Sequence, residues 1–113
     1  MKYMVMSFED DSDFSARTDD AEKTQYWADW RAYFGACQQA GILAYPGNVL
    51  GPGSTARTIK DNAVAGGSQT NLLAHLSGYW VIDVPTMDEA VEWTGRCPAA
   101  AHGAVEIRPV FQP

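Results

Sequence analysis

Gly78-Tyr79-Trp80-Val81-Ile82-Asp83-Val84 is the stretch that decides the fold, together with the segments Pro85-Thr86-Met87-Asp88-Glu89-Ala90-Val91-Glu92-Trp93 and Val105-Glu106-Ile107-Arg108-Pro109-Val110 that follow it. The first segment is rich in aromatic and β-branched residues, as strands are. In the second, Thr86 suits a helix N-cap, and Asp88 and Glu89 match the positive end of the helix dipole. The C-terminal third therefore predicts a strand, a helix and a final strand.

The N-terminal half also predicts strands and a helix in alternation. Tyr3 to Phe8 is apolar on both faces of an extended segment, which indicates a central strand. Asp19 or Asp20 is a suitable N-cap for a helix that runs to about Ala40, where Gly41 ends it. Residues 42–50 are extended but interrupted by a turn at 46–48, and residues 55–65 predict a hairpin that turns at 61–62.

This order predicts one α+β domain over residues 1–113, with a ferredoxin-like βαββαβ fold, an antiparallel sheet and a β-hairpin insertion. In such a unit both helices lie on one face of the sheet. A second copy of the chain is the simplest cover for the other face. We therefore expect a homodimer that resembles an α/β barrel.

Composition excludes several classes of function. The chain has 8 Lys and Arg against 14 Asp and Glu, a formal net charge of -6, and its basic residues are scattered, which argues against a nucleic-acid surface. No segment approaches the ~20 apolar residues that cross a bilayer, and the N-terminus does not resemble a signal peptide, so we expect a cytoplasmic protein. Cys37 and Cys97 lack the spacing of a zinc or redox site and are interpreted as reduced thiols.

Residues 9–20 are acidic and have no periodicity, which predicts a loop. Glu9, Asp10, Asp11 and Asp13 lack the ligand spacing of a calcium loop, so a solvated segment is favoured over a metal site. We expect no metal and no cofactor.

The first helix has an unusually wide aromatic face. Tyr26, Trp30, Tyr33 and Cys37 recur at three- and four-residue intervals, and Trp27 and Phe34 form a second row. Core packing against the sheet is the commoner role of such a face, whereas lining a small-molecule cavity is the alternative. The candidate ligand-binding residues are Trp27, Trp30, Phe34, Arg57 and Trp80.

The chain resembles the YCII-related family, and within it the DGPF-domain branch, over nearly its full length. The resemblance rests on Gly41-Ile42-Leu43, Leu50-Gly51-Pro52, Ala56-Arg57-Thr58 and above all the C-terminal segments quoted above, with Cys97-Pro98. It implies a ferredoxin-like fold, a homodimer and kinship with dimeric α/β-barrel enzymes such as muconolactone isomerases. DGPF-type domains also resemble partners of alternative sigma factors.

The signature that names the branch is replaced in this chain. Its Asp-Gly-Pro-Phe positions fall on Gly66, Gly67, Ser68 and Gln69, its Glu position on Asn71 and its Lys position on Leu73. None of these residues titrates near neutral pH, so chemistry that uses the signature is not available here. The His and Asp pair proposed for the wider family also has no clear counterpart, because the first helix contains no histidine.

Two residues are candidate catalytic groups. His75 lies in the rewritten segment, in a stretch 72–76 that predicts a short turn, and its imidazole suits acid-base work at neutral pH although no partner is identifiable. Asp83 shares a strand face with Tyr79 and Val81, where its pKa could be raised; a structural role near the second helix is the alternative. Arg57, with Asp61 nearby, suits an anionic ligand, whereas an exposed cross-strand charge is the commoner outcome.

The sequence thus predicts a small-molecule-binding dimer with a cavity between the sheet and the first helix, and His75 at its rim. The matching reaction is cofactor-independent proton transfer on a small cyclic or aromatic metabolite, of the isomerase, cyclase or lyase type. The alternative is a non-catalytic ligand-binding or protein-interaction module, linked to transcriptional regulation. Loss of the charged signature slightly favours this alternative.

Overall fold

The computed structural model describes residues 1–68 and 75–113, and these form an α+β architecture. The strands are β1 (Lys2–Glu9), β2 (Leu43–Val49), β3 (Arg57–Lys60), β4 (Ala63–Gly66), β5 (His75–Asp83) and β6 (Ala104–Pro109). The helices are α1 (Asp11–Ser15), α2 (Lys23–Gln39), α3 (Met87–Thr94) and α4 (Pro98–His102). A 3-10 turn, Gly53–Thr55, precedes β3.

Four strands form one antiparallel sheet in the order β2-β5-β1-β6. Strand β1 is central, as its apolar pattern predicted, with Val5 paired to Trp80 on one side and Ile107 on the other. The β1–β5 register shifts between Ser7 and Phe8. The ferredoxin-like prediction is confirmed, and this bulge lies at the end of the sheet where the candidate site is found.

The core lies between the sheet and the helices. Alternate residues of β1 and β5 point into it, and Val5, Trp80 and Ile82 are almost completely buried. Helix α2 contributes Trp30, Tyr33 and Cys37, and the remaining members are Tyr3, Val84, Ala90, Cys97 and Ala99. The aromatic face of α2 therefore packs against the sheet, as the spacing predicted.

The opposite face of the sheet is less covered. Met4, Met6, Tyr79 and Val81 are only partly buried there. On the same face Arg108 donates a hydrogen bond to Glu106 at 2.7 Å and forms an ion pair with it.

The predicted hairpin is present as β3 and β4, which form a separate two-stranded sheet. Its turn residues Asp61 and Asn62 have φ angles of 52° and 65°, as a type I′ turn requires. Ile59 and Val64 face each other across the hairpin and are 72% and 67% exposed. The hairpin thus presents an apolar pair to solvent.

Two predictions of local structure were wrong. Residues 9–20 are not a loop throughout, because Glu9 ends β1 and Asp10 caps α1 by accepting a hydrogen bond from the Asp13 amide at 2.8 Å. The turn predicted at 72–76 is not observed in its described part, since His75 and Leu76 begin β5; the rest of it lies outside the described residues. Glu9 and His75 pair with each other, so β1 and β5 each extend beyond their apolar residues.

The two main helices follow the prediction closely. Helix α2 starts three residues later than Asp20, and Asp19 accepts hydrogen bonds from the Ala21 and Glu22 amides at 3.0 and 3.1 Å. Gly41 terminates it with a φ of 73°. Thr86 caps α3 by accepting from the Glu89 amide at 3.2 Å. Within the described residues, no helix has the length and apolar character needed to cross a bilayer.

Candidate functional site

A cavity of about 480 Å³ lies between α2 and the sheet. Its floor is formed by β1 and β5 near the bulge, one wall by α2, and its edge by the bent part of β2. The residues that line it are Ser7, Glu9, Arg17, Tyr26, Trp27, Trp30, Arg31, Phe34, Gly35, Gln38, Pro46, Gly47, Asn48, Val49, Ser77, Gly78, Tyr79 and Trp80. This is the location that the sequence predicted.

The four predicted aromatic residues Trp27, Trp30, Phe34 and Trp80 all line this cavity. Trp80 lies edge-on to Trp30 and Phe34, with ring centroids 5.6 and 5.2 Å apart, and Trp30 stacks on Phe34 at 5.9 Å. Trp30 and Trp80 are also core residues, so the aromatic face packs against the sheet and part of it lines the cavity. Whether the cavity binds a ligand stays a prediction.

A buried carboxylate lies among the lining residues. Glu9 is only 3% exposed, and the Tyr26 hydroxyl donates to its two oxygens at 2.8 and 3.0 Å. Burial is the main reason that the pKa of Tyr26 rises to about 12; Arg17 nearby opposes the shift and Glu9 adds to it. Tyr26 is therefore a neutral hydrogen-bond donor at physiological pH.

Arg17 is fixed beside this pair. Its guanidinium donates to the backbone oxygens of Leu50 and Ser77, and it lies over the rings of Phe14 and Trp27 at 4.2 and 5.6 Å. The Trp27 indole donates back to the Arg17 carbonyl at 3.0 Å. These contacts hold a positive charge at the cavity wall.

Several buried donors near the cavity are unpaired. Among the described residues, Arg17 Nε, Trp30 Nε1 and Trp80 Nε1 have no hydrogen bond of acceptable geometry. Trp80 does lie near the Tyr33 hydroxyl, where it opposes the rise that burial causes in the pKa of Tyr33. Native cores leave few such groups. The hydroxyls of Tyr33 and Thr94 are also unpaired and do not line the cavity, so such groups occur elsewhere in the described core as well.

His75 is not on the cavity wall, and it does have partners. Its Nδ1 accepts from the Gly53 amide at 3.0 Å, its Nε2 is 2.7 Å from Asp11 Oδ1, and its ring stacks on Phe14 at 4.1 Å. Since Nδ1 is an acceptor, Nε2 carries the proton and donates to Asp11. His75 thus joins α1 and the 3-10 turn to the sheet, and the Phe14 ring that it stacks on also contacts Arg17.

Asp83 lies at the other end of β5, away from the cavity. Its side chain is 52% exposed and accepts from the Met1 amino group at 2.8 Å. That hydrogen bond and charge lower the pKa of Asp83, so the expectation of a raised pKa was wrong. Neighbouring Tyr79 and Val81 do not enclose it, because they lie on the less covered sheet face. The catalytic roles of His75 and Asp83 stay predictions, without cavity geometry to support them.

Arg57 also lies away from the cavity. It is exposed at the start of β3 and donates to the Ala56 carbonyl at 2.8 Å, and it forms no ion pair with Asp61. Of the rewritten signature positions, Gly66 ends β4 and Gly67 follows with a φ of 85°, next to Ser68. Gln69, Asn71 and Leu73 lie outside the described residues. Neither Arg57 nor the two glycines line the cavity.

Sequence reasoning did not select Glu9, Tyr26 and Arg17 as a site. One pattern could have found the carboxylate: Tyr3, Val5, Ser7 and Glu9 alternate along one strand face, which directs Glu9 towards the helices. The partnership with Tyr26 and Arg17 depends on how α1 and α2 fold back onto the sheet, and no local spacing encodes it. In the described part of the chain, no three His, Cys, Asp or Glu residues are grouped to hold a metal.

Comparison with known proteins agrees with the fold. No curated protein matches the chain. The family model described as YCII-related domain matches residues 1–112. It does not distinguish branches, so the resemblance to the DGPF branch stays a prediction. The βαββαβ order and the C-terminal segments agree with this match. Because the match covers nearly the whole chain, it shows that the protein belongs to the YCII-related family.

Proposed function

We propose that the protein binds a small cyclic or aromatic metabolite in the cavity between α2 and the sheet and acts on it by cofactor-independent proton transfer. The single observation that supports this is an aromatic cavity of about 480 Å³ with one buried carboxylate, Glu9, in its lining. The reaction is of the isomerase, cyclase or lyase type, in which one positioned acid-base group is sufficient.

The shape of the cavity favours a planar ligand. Small-molecule pockets span roughly 300–1,000 Å³, so this cavity suits one or two rings. Trp27 and Phe34 are partly exposed at the cavity and can contact a ring in the offset or edge-on arrangement that aromatic pairs prefer, while Trp30 and Trp80 support Phe34 from behind. A planar aromatic ligand would therefore pack against the aromatic residues that line the cavity.

We also propose a homodimer formed through the less covered face of the sheet. Met4, Met6, Tyr79 and Val81 form a partly exposed apolar strip there, and burying it against a second copy would stabilise both chains. Light scattering at micromolar concentration should give twice the 12.3 kDa mass of the chain. A monomeric mass would reject the dimer.

A second candidate function is a non-catalytic protein-interaction module. The β3–β4 hairpin favours it, because Ile59 and Val64 are highly exposed and lie side by side on a hairpin with its own separate sheet. This reading needs no ligand in the cavity. A binding test at the cavity therefore separates the two functions.

The binding test uses Gly35, which lines the cavity on α2 and has no atom within 4 Å of an added Cβ. Gly35→Leu should project a side chain into the cavity without disturbing the helix, and Ala36→Leu is the matched control on the next, exposed position. The readout is the set of indole N–H signals in a ¹H–¹⁵N NMR titration with 2-naphthol. We expect the cavity tryptophan signals to shift in the wild type and in Ala36→Leu, but not in Gly35→Leu.

Trp93 is the internal reference, because it lies on α3 and does not line the cavity. Its signal should stay fixed throughout the titration. If no tryptophan signal shifts in the wild type, or if Gly35→Leu responds like the wild type, the cavity is not the ligand site.

A further inference from the structure

We infer that Glu9 is the proton acceptor of this site and that Tyr26 positions it, for cyclic ketones with an acidic C–H beside the carbonyl group and an aromatic ring next to it. The inference rests on the proposed function and assigns its chemistry to a carboxylate that sequence patterns did not select. Neither His75 nor Asp83 has a part in it.

Glu9 is distinguished by its location. Among the cavity-lining residues that the structure describes, it is the one carboxylate, and none of them is a histidine. It is the last residue of β1 and pairs with His75 of β5, so the carboxylate is held by the sheet rather than by a loop. The aromatic residues of the lining give a bound substrate an apolar surface beside this carboxylate.

Tyr26 has the properties of a positioning donor. Its hydroxyl bonds both oxygens of Glu9, at 2.8 and 3.0 Å, which fixes the plane of the carboxylate. It keeps its proton at neutral pH, so it donates to Glu9 and does not itself act as a base. Each carboxylate oxygen still has a free lone pair to accept a substrate proton.

Arg17 supplies the opposite charge. It lines the same cavity and lies near the Tyr26 hydroxyl, and its contacts with Leu50, Ser77, Phe14 and Trp27 prevent it from turning away. Loss of a C–H proton beside a carbonyl places negative charge on the carbonyl oxygen. A fixed guanidinium in the same cavity would stabilise that charge.

The step balances without a cofactor. The Glu9 carboxylate takes the proton from the ring carbon, the C–H electron pair forms a carbon–carbon double bond, and the carbonyl pair moves to oxygen to give an enolate. Protonated Glu9 then exchanges its proton with solvent and protonates the same carbon, which replaces the substrate hydrogen by one from solvent. Protonation at a conjugated carbon instead gives isomerisation.

The test measures hydrogen–deuterium exchange at the activated C–H of 2-tetralone, in which a benzene ring is fused to a cyclic ketone, by ¹H NMR in D₂O. The wild-type protein should accelerate the exchange, and Glu9→Gln should lower the protein-dependent rate by about 100-fold or more, the usual contribution of a general base. Glu106→Gln is the matched control, because this carboxylate lies on the opposite sheet face and is paired with Arg108.

Tyr26→Phe separates positioning from structure. If the hydroxyl only holds α2 to β1, the dissociation constant and the saturated rate should change together or not at all. If Tyr26 is a positioning residue, Tyr26→Phe should lower the saturated exchange rate and leave the dissociation constant for 2-tetralone unchanged. A saturated rate equal to that of the wild type would overturn its role.

The outcomes distinguish this inference from the proposed function. If 2-tetralone shifts the cavity tryptophan signals but no protein accelerates exchange, binding stands and the assignment of Glu9 is overturned. The same conclusion follows if Glu9→Gln exchanges at the wild-type rate. If no tryptophan signal shifts and no exchange occurs, the cavity function itself is rejected.

Discussion

The two ends of the central strand pair β1–β5 differ in how they are enclosed. At one end Glu9 faces His75, and α1, α2 and the 3-10 turn cover the pair, so that Glu9 is 3% exposed. At the other end Lys2 faces Asp83, whose carboxylate is about half exposed and pairs with an amino group. The two carboxylates thus differ in enclosure, and the buried one, Glu9, is the one that lines the cavity.

The largest expected effect tests how tightly the enclosed end is packed. An added Cβ at Gly103 would lie 2.2 Å from the Phe8 carbonyl oxygen, next to Glu9, whereas one at Gly66 on the hairpin meets nothing within 4 Å. Gly103→Ala should lower the free energy of unfolding by about 3 kcal/mol, since backbone must move to admit it. Gly66→Ala is the matched control for chemical denaturation.

If Gly103→Ala unfolds at the wild-type midpoint, the enclosed end has room for an added methyl group. The contrast between the two ends would then rest on side-chain identity rather than on packing.

The next effect compares the two carboxylates directly. Glu9→Ala removes the acceptor of the Tyr26 hydroxyl in a buried site and should lower the free energy of unfolding by about 2 kcal/mol. Asp83→Ala should leave the urea midpoint close to the wild-type value, because exposed ion pairs contribute little. Equal losses from the two substitutions would remove the proposed difference between the ends.

The smallest effect appears at high pH. The pKa of Tyr26 is about 12 in the folded protein and 10.0 as its reference value, so the unfolded chain loses this proton first. The contribution of Tyr26 to stability is therefore fully present below pH 10 and is lost as the pH rises to about 12. Tyr26→Phe should show a shallower loss of stability than the wild type between these values, in urea unfolding at each pH. Parallel pH profiles would show that Tyr26 ionises equally in both states.

The sequence predicted the scaffold better than the chemistry. The three- and four-residue spacing of α2 and the alternation of β5 are local patterns, and they placed Trp30, Phe34 and Trp80 around a cavity correctly. Glu9 was assigned to a solvated segment because Asp10, Asp11 and Asp13 follow it, yet the strand alternation continues through it. The partner of His75, Asp11, is 64 residues away in the chain. Such contacts depend on tertiary folding, which local composition does not record.

The proton-transfer rates of Glu9→Gln and Asp83→Asn, measured side by side, test the central claim most directly. Both changes neutralise one carboxylate at one end of the β1–β5 pair, and the readout is deuterium exchange of 2-tetralone at saturation. The account predicts that the loss, about 100-fold, falls on Glu9→Gln. A comparable loss in Asp83→Asn with Glu9→Gln at the wild-type rate would contradict it.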